Sequence, residues 1–318
     1  MNEKAPGTGL LAEQSAVRTM NLDDVQITYA VDGAMGLNPQ VFFPHLSAGY
    51  WVGQSGALTR HGQIAMSVGG LLVERGGRRL LIDAGLGTQI GQNPLGTVNS
   101  GALPDTLAAL GADPAGIDTV AFTHLHADHT GWAFTQNRDG TYRKTFPDAR
   151  YLVAEAEWAP YGRGESLPAA APATVLEQLA ATRTLAGDDE EIFPGVRTVV
   201  TPGHSPGHTS YIITSSTGKR LIALGDAFHI TAQLRHPDWP SLPDIDGDAV
   251  LAARRKLIRE LEQPGTLGFA CHFGDHAFGR LTQTRTGLHG WEPVPATPVM
   301  PAPRQLGLRA PGKRPGRR

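Results

Sequence analysis

Between residues 119 and 132 the chain reads TVAFTHLHADHTGW, which places His124, His126, Asp128 and His129 within six positions directly after an apolar run. In extended backbone the side chains repeat every two residues, so His124 and His126 leave the chain on the same side. A bend into a loop or a first helical turn then brings Asp128 and His129 to the same spot. Three imidazoles and a carboxylate at one strand end would be poorly matched company unless a cation sat among them. The spacing therefore predicts a metal site and a fold that offers a strand end to carry it.

Three further donors stand in the same kind of place. His204 lies in VVTPGHSPGHTS after a β-branched run, Asp226 ends LIALGD, and His272 follows the strand-like GTLGFA. Together they predict one rim of a sheet that collects seven donors from four loops. Seven are too many for one tetrahedral zinc and suit two divalent ions that share a carboxylate and a water. Zinc is the first expectation, and manganese, iron or cobalt accept the same donors. Such a pair yields a hydroxide near neutral pH without a catalytic serine or cysteine, with Asp128 or Asp226 available to carry a proton.

The rest of the chain supplies a frame in which strands and helices interleave with hairpins, so a purely parallel doubly wound sheet fits poorly. MSVGGLLVERGGRRLLIDAGLG reads as two strands around a turn at Gly76 and Gly77, the second ending at Asp83. DTLAALGAD predicts a short helix from Asp105, ARYLVAEAEWAPY a strand running into a helix, and ATVLEQLAATRTL another helix. DAVLAARRKLIRELEQPG is the clearest helix, with Val250, Leu251, Leu257, Ile258 and Leu261 on one face and a Pro264-Gly265 stop. Apolar periodicity begins only at VQITYAVDG, so residues 1–22 are expected to be a flexible lead-in to a domain over 23–291. Residues 292–318 hold seven prolines and six Arg or Lys, and are expected to be a disordered basic tail.

Composition narrows the partners. With 28 Lys and Arg against 30 Asp and Glu, the net charge of -2 gives no electrostatic argument for nucleic acid or an anionic membrane. No apolar run approaches the about 20 residues of a spanning helix, and the N-terminus does not read as a secretory signal. The single cysteine, Cys271, excludes an intrachain disulfide. These features predict a cytoplasmic protein acting on a small molecule.

The string HLHADH, followed in order by a glycine-flanked His, a GD aspartate and a late His, resembles the metallo-β-lactamase superfamily over roughly residues 24 to 290. The resemblance implies a four-layer αββα sandwich. It also implies that His124, His126 and His204 hold one metal, that Asp128, His129 and His272 hold the other, and that Asp226 bridges them. Asp83 matches an acidic position that braces the site from beneath. Asp226 after a glycine speaks against the true β-lactamases, and His126 where iron-type redox members carry Glu speaks against that branch. HTGWAF, FPDARYLVAEAEW, GDAFHITAQLRHPDW and ACHFGDHAFGRL are similar to the branch of N-acyl-homoserine lactonases and methyl parathion hydrolase-like enzymes, in which homodimers are common. The implied activity is hydrolysis of a lactone, ester or thioester. The alternative is a phosphotriesterase, phosphodiesterase or nuclease of the same superfamily, its basic tail binding RNA. Where lactonases of this branch carry a Tyr three residues after the bridging Asp, this chain has His229, which can still donate to an oxyanion.

Other residues near the donors have plainer readings. His208 is expected to brace its loop. His236 and His276 are expected in exposed loops, and Cys271 as a small buried strand residue. Trp132, Phe228, Trp239 and Phe273 are placed either in the core or in an apolar wall.

Overall fold

The computed structural model describes residues 8–285 and 287–303. Among them, ten strands form one mixed sheet and seven a second. In the first sheet the order across the main path runs Arg183–Ala186, Arg150–Ala154, Thr119–Ala121, Arg78–Ile82, Ile64–Arg75, Val25–Leu37, Val17–Leu22 and Thr297–Met300. In the second it runs Glu191–Phe193, Val196–Val200, Thr209–Thr214, Arg220–Ala223, Thr266–Phe269, Phe278–Gln283 and His289–Pro293.

Alternation along the strands explains how the sheets stack. Leu71, Val73, Leu80 and Ile82 point inward to meet Val196, Tyr211, Ile213, Leu221 and Phe269 of the second sheet. Their neighbours Leu72 and Leu81 point outward, beneath the helices Leu103–Ala109, Glu155–Gly162 and Ala173–Thr182, which contribute Leu107, Trp158 and Leu179. The helix Gly247–Leu261 covers the far face of the second sheet through Leu257, Ile258 and Leu261 against Ile222. Strands buried on both faces read as unbroken apolar runs, as LLI and LIAL do here. The result is the expected αββα order.

Local readings held where the signal was local. Gly76 and Gly77 take φ of 59° and 78° in the predicted hairpin, a region open to glycine. The helix expected from Asp105 starts at Leu103, because Pro104 in the first turn lacks only an N–H that has no helical partner there. The last residues of ATVLEQLAATRTL are not helical: Arg183–Ala186 pairs in parallel with Arg150–Ala154.

The expected boundaries need correction at both ends. Within the presumed lead-in, Val17–Leu22 pairs antiparallel with Val25–Leu37. Within the presumed tail, Thr297–Met300 pairs with Val17–Leu22, Ala296 is buried, and Arg18 Nη1 donates to the Ala296 carbonyl at 2.9 Å. Proline suits this segment because it forms a sheet edge, where a missing donor costs little. Residues 1–7 and 304–318 lie outside the described residues. A chain ended at Trp291 is expected to lose about 2–4 kcal/mol through these bonds and the exposed apolar edge, whereas one ended at residue 303 keeps them. Equal urea midpoints for both truncations would show that the C-terminal strand contributes nothing.

Candidate metal centre

Parallel neighbours point the same way, so their C-terminal ends share an edge. Thr119–Ala121 and Arg78–Ile82 are parallel in the first sheet, and Arg220–Ala223 and Thr266–Phe269 in the second. Asp83, the 124–129 cluster, Asp226 and His272 follow those four strands, and His204 follows Val196–Val200. The rim is thus built by two sheets, rather than the single sheet expected. After Leu125 the chain turns into the short helix Ala127–Thr130, and this first turn carries Asp128 and His129 back over the strand end.

All seven predicted donors converge. His204 Nε2 lies 3.2 Å from His124 Nε2 and 3.1 Å from His126 Nδ1. Asp128, His129, Asp226 and His272 form a second group, and within each group the donor atoms lie within 4.8 Å of one another. Asp226 stands between the two. Its Oδ1 is 3.3 Å from His129 Nε2 and 3.2 Å from His272 Nε2, while its Oδ2 is 3.5 Å from His204 Nε2.

The far nitrogens of the rings are held, which turns the near ones inward. His272 Nδ1 donates to the Ser67 carbonyl at 2.9 Å and His129 Nδ1 to Asp83 Oδ2 at 2.9 Å. Thr123 Oγ1 donates to Asp83 and lies 3.0 Å from His124 Nδ1. Asp83 reaches these partners from a left-handed backbone, φ 64°, a conformation Asp tolerates better than most residues. It lies beneath the site, as expected.

Electrostatics divide the rings. Burial, together with the neighbouring imidazoles, holds His124 well below the ordinary histidine value and His126 at about 3. Burial opposes charge on His129 and His272 as well, yet Asp226, backed on His129 by Asp128, raises both well above it. Burial pushes Asp226 up, but His272 and His129 pull it well below the carboxylate range. Among the described residues His129 Nε2 is buried with no hydrogen-bond partner. An orphaned nitrogen, three ring nitrogens in mutual contact and a carboxylate between two clusters form a donor set that fits two divalent cations.

His229 joins this set. Its Nε2 is 3.2 Å from Asp226 Oδ2 and its Nδ1 3.1 Å from Ser241 Oγ, so Nε2 carries the proton and Nδ1 accepts. His208 braces, as expected: its Nε2 accepts from the Asp226 N–H at 2.9 Å and its Nδ1 bonds Thr201. Cys271 is buried beside the site. Half-buried His276 bonds the Gly9 carbonyl, and His236, also half-buried, stacks on Trp239. Trp132 donates to Asp32, and Phe228 is buried against Arg254. Phe273 lines a narrow apolar pocket with Tyr50, Trp51, Ile64 and Ile230 that reaches His229 and His272. A larger cleft of ≈ 730 Å³ between the 38–63 segment and the 92–96 turn holds none of the donors.

Among the described residues the buried charges Glu157, Asp32, Asp244 and Arg254, which brace the loops of the site, escaped the sequence reading. Glu157 accepts from Leu125 N, Ser205 Oγ and Gly207 N at 2.9, 2.6 and 3.0 Å, tying the first histidine loop to the third. Asp32 gathers the N–H groups of Leu86, Gly87, Gly101 and Leu103 under the 84–104 loop. Asp244 bonds His204 Nδ1 at 3.0 Å, and Arg254 bonds Asp244 at 3.0 Å. No spacing marks these residues; only the acidic Asp246 cap nearby hints that the segment is ordered.

Residues 70–272 match the Metallo-beta-lactamase superfamily. The N-acyl homoserine lactonase AttM of Agrobacterium fabrum (strain C58 / ATCC 33970) is 30% identical over 160 residues, 47% of this chain and 55% of that protein. AttM of Rhizobium radiobacter is 28% identical over 160 residues, with the same coverage of 47% and 55%. The chain thus spans about half the length of the curated relatives it matches. Among solved structures, AidC, a dizinc quorum-quenching lactonase with a bound product, superposes with a TM-score of 0.74 at 21% identity, covering 89% of this chain and 98% of that one. The hydrolase AbOPH superposes with a TM-score of 0.70 at 22% identity and the same coverage of 89% and 98%.

Proposed function

For a chain that belongs to the metallo-β-lactamase superfamily, we propose hydrolysis of a small-molecule lactone at a dinuclear metal centre, with linear esters and thioesters as related substrates. The observation that carries this reading is Asp226, which stands between the two nitrogen-rich groups: Oδ1 lies 3.3 Å from His129 Nε2, Oδ2 lies 3.5 Å from His204 Nε2, and His272 Nε2 is 3.2 Å from both. The lactonase relatives support it. Zinc is the proposed metal, in keeping with imidazole-rich donors and with the dizinc description of AidC.

Held at the two groups, divalent cations supply Lewis acidity: they lower the pKa of water and polarise an ester carbonyl. The protein's own residues do the rest. Asp226 balances positive charge on both sides. His229 holds its Nε2–H on Asp226 Oδ2 at 3.2 Å inside the site, and releasing that bond would let it donate to an oxyanion that develops on the substrate. Asp128, whose side chain is 19% exposed while Asp226 is buried, is placed to pass a proton to the leaving alcohol. Among the described residues no helix is long and apolar enough to cross a membrane.

The test is a panel of lactones, aryl esters, acyl thioesters and phosphotriesters offered to zinc-loaded protein, with ring opening followed by the proton released. Lactones are expected to give the highest kcat/KM. RNA or phosphodiester cleavage with no turnover of any carbonyl substrate would overturn the reading in favour of the nuclease.

A further inference from the structure

We propose that Asp244, anchored by Arg254, is a positioning residue for His204 that sets the affinity of the His124–His126–His204 group separately from the other group; this rests on the metal-binding reading above. Asp244 and Arg254 have fully buried side chains, as does His204. Asp244 Oδ1 can only accept, so the bond of 3.0 Å to His204 Nδ1 places the ring proton on Nδ1. His204 Nε2 is then left with its lone pair facing His124 and His126.

The second carboxylate oxygen is held just as firmly. Asp244 Oδ2 accepts from Ser241 N at 2.8 Å and from Arg254 Nη2 at 3.0 Å. Arg254 in turn donates from Nε to the Ala227 carbonyl at 2.6 Å and from Nη1 to the carbonyls of Pro237 and Trp239 at 3.1 and 2.6 Å. Its guanidinium neutralises Asp244 and fixes the loop that carries it. Gly203, next to His204, accepts from Ile245 N and Asp246 N at 2.9 and 3.0 Å, so the two loops are also stitched beside the Asp244–His204 bond. The rings of the other group take their orientation elsewhere, His129 from Asp83 and His272 from Ser67. A merely structural ion pair would lower stability alone. A carboxylate that fixes one ring's tautomer should change one metal site, typically by 10–100-fold in affinity.

The experiment titrates Zn²⁺ into metal-stripped full-length protein against a chromophoric chelator. His126→Ala and His272→Ala identify which of the two dissociation constants belongs to which group. Asp244→Asn is expected to weaken the constant lost in His126→Ala by roughly 10–100-fold and to leave the other within about threefold. Arg254→Lys keeps a cation beside Asp244 but loses the bonds that hold its loop, and is expected to weaken the same constant by less than Asp244→Asn does while leaving the other within about threefold. Where the Asn variant yields no folded protein, Asp244→Glu, which keeps the charge but displaces the oxygens from His204, takes its place with the same expectation. Two constants unchanged, or both weakened alike, would overturn the inference while the dinuclear reading stands. Wild-type protein that binds no Zn²⁺ would overturn both.

Discussion

Asp226→Asn is expected to lower kcat/KM for lactone opening by a factor on the order of 10³ and to release at least one metal. The carboxylate is buried and sits within 3.5 Å of nitrogens from four histidines, His129, His204, His229 and His272. An amide of the same shape carries no charge, so it cannot balance two dications, and its NH₂ end would face the ring nitrogens of His229 and His272 for which the carboxylate is the acceptor. Steady-state kinetics together with elemental analysis check this. A variant with full metal content and full turnover would show that Asp226 does not join the two groups.

Glu157→Ala should be the most damaging substitution outside the donor set, costing roughly 3–5 kcal/mol in urea unfolding of the metal-free protein. Burial raises the Glu157 carboxyl above its ordinary value, and bonds from Ser205, Leu125 and Gly207 oppose that rise. Alanine would leave three buried donors without an acceptor and a cavity beside them. Leu125 lies between His124 and His126, and Ser205 follows His204, so the loss also loosens the rings. Turnover should therefore fall even in protein that remains folded. Glu157→Gln, which keeps one acceptor oxygen and puts an NH₂ donor at the other position, should cost less than alanine, about half as much. An unchanged urea midpoint for the alanine variant would contradict this role.

The donors were legible because each ends a strand whose own residues announce it. TVAFT, LIAL and GTLGFA are short apolar runs, and a histidine or aspartate one or two residues after each stands out against them. The braces were not legible, because nothing local separates Glu157, Asp244 or Arg254 from residues on a solvated helix face or loop. Arg254 sits one position from Arg255, yet the first is buried and the second exposed; the difference lies in the carbonyls of Ala227, Pro237 and Trp239, which another loop brings. The strands Val17–Leu22 and Thr297–Met300 escaped for the same reason. Thr297–Met300 is ordered by pairing with Val17–Leu22 across almost the whole chain, and Val17–Leu22 by that strand together with its hairpin partner Val25–Leu37; periodicity within six or four residues carries no trace of such partners.

Metal content measured alongside turnover tests the central claim most directly. Gently purified protein is expected to hold two divalent ions per chain by elemental analysis, and lactone hydrolysis in stripped protein should return only as the second ion is titrated in. One tightly held ion, no second site on titration and full turnover in that state would contradict a dinuclear centre bridged by Asp226.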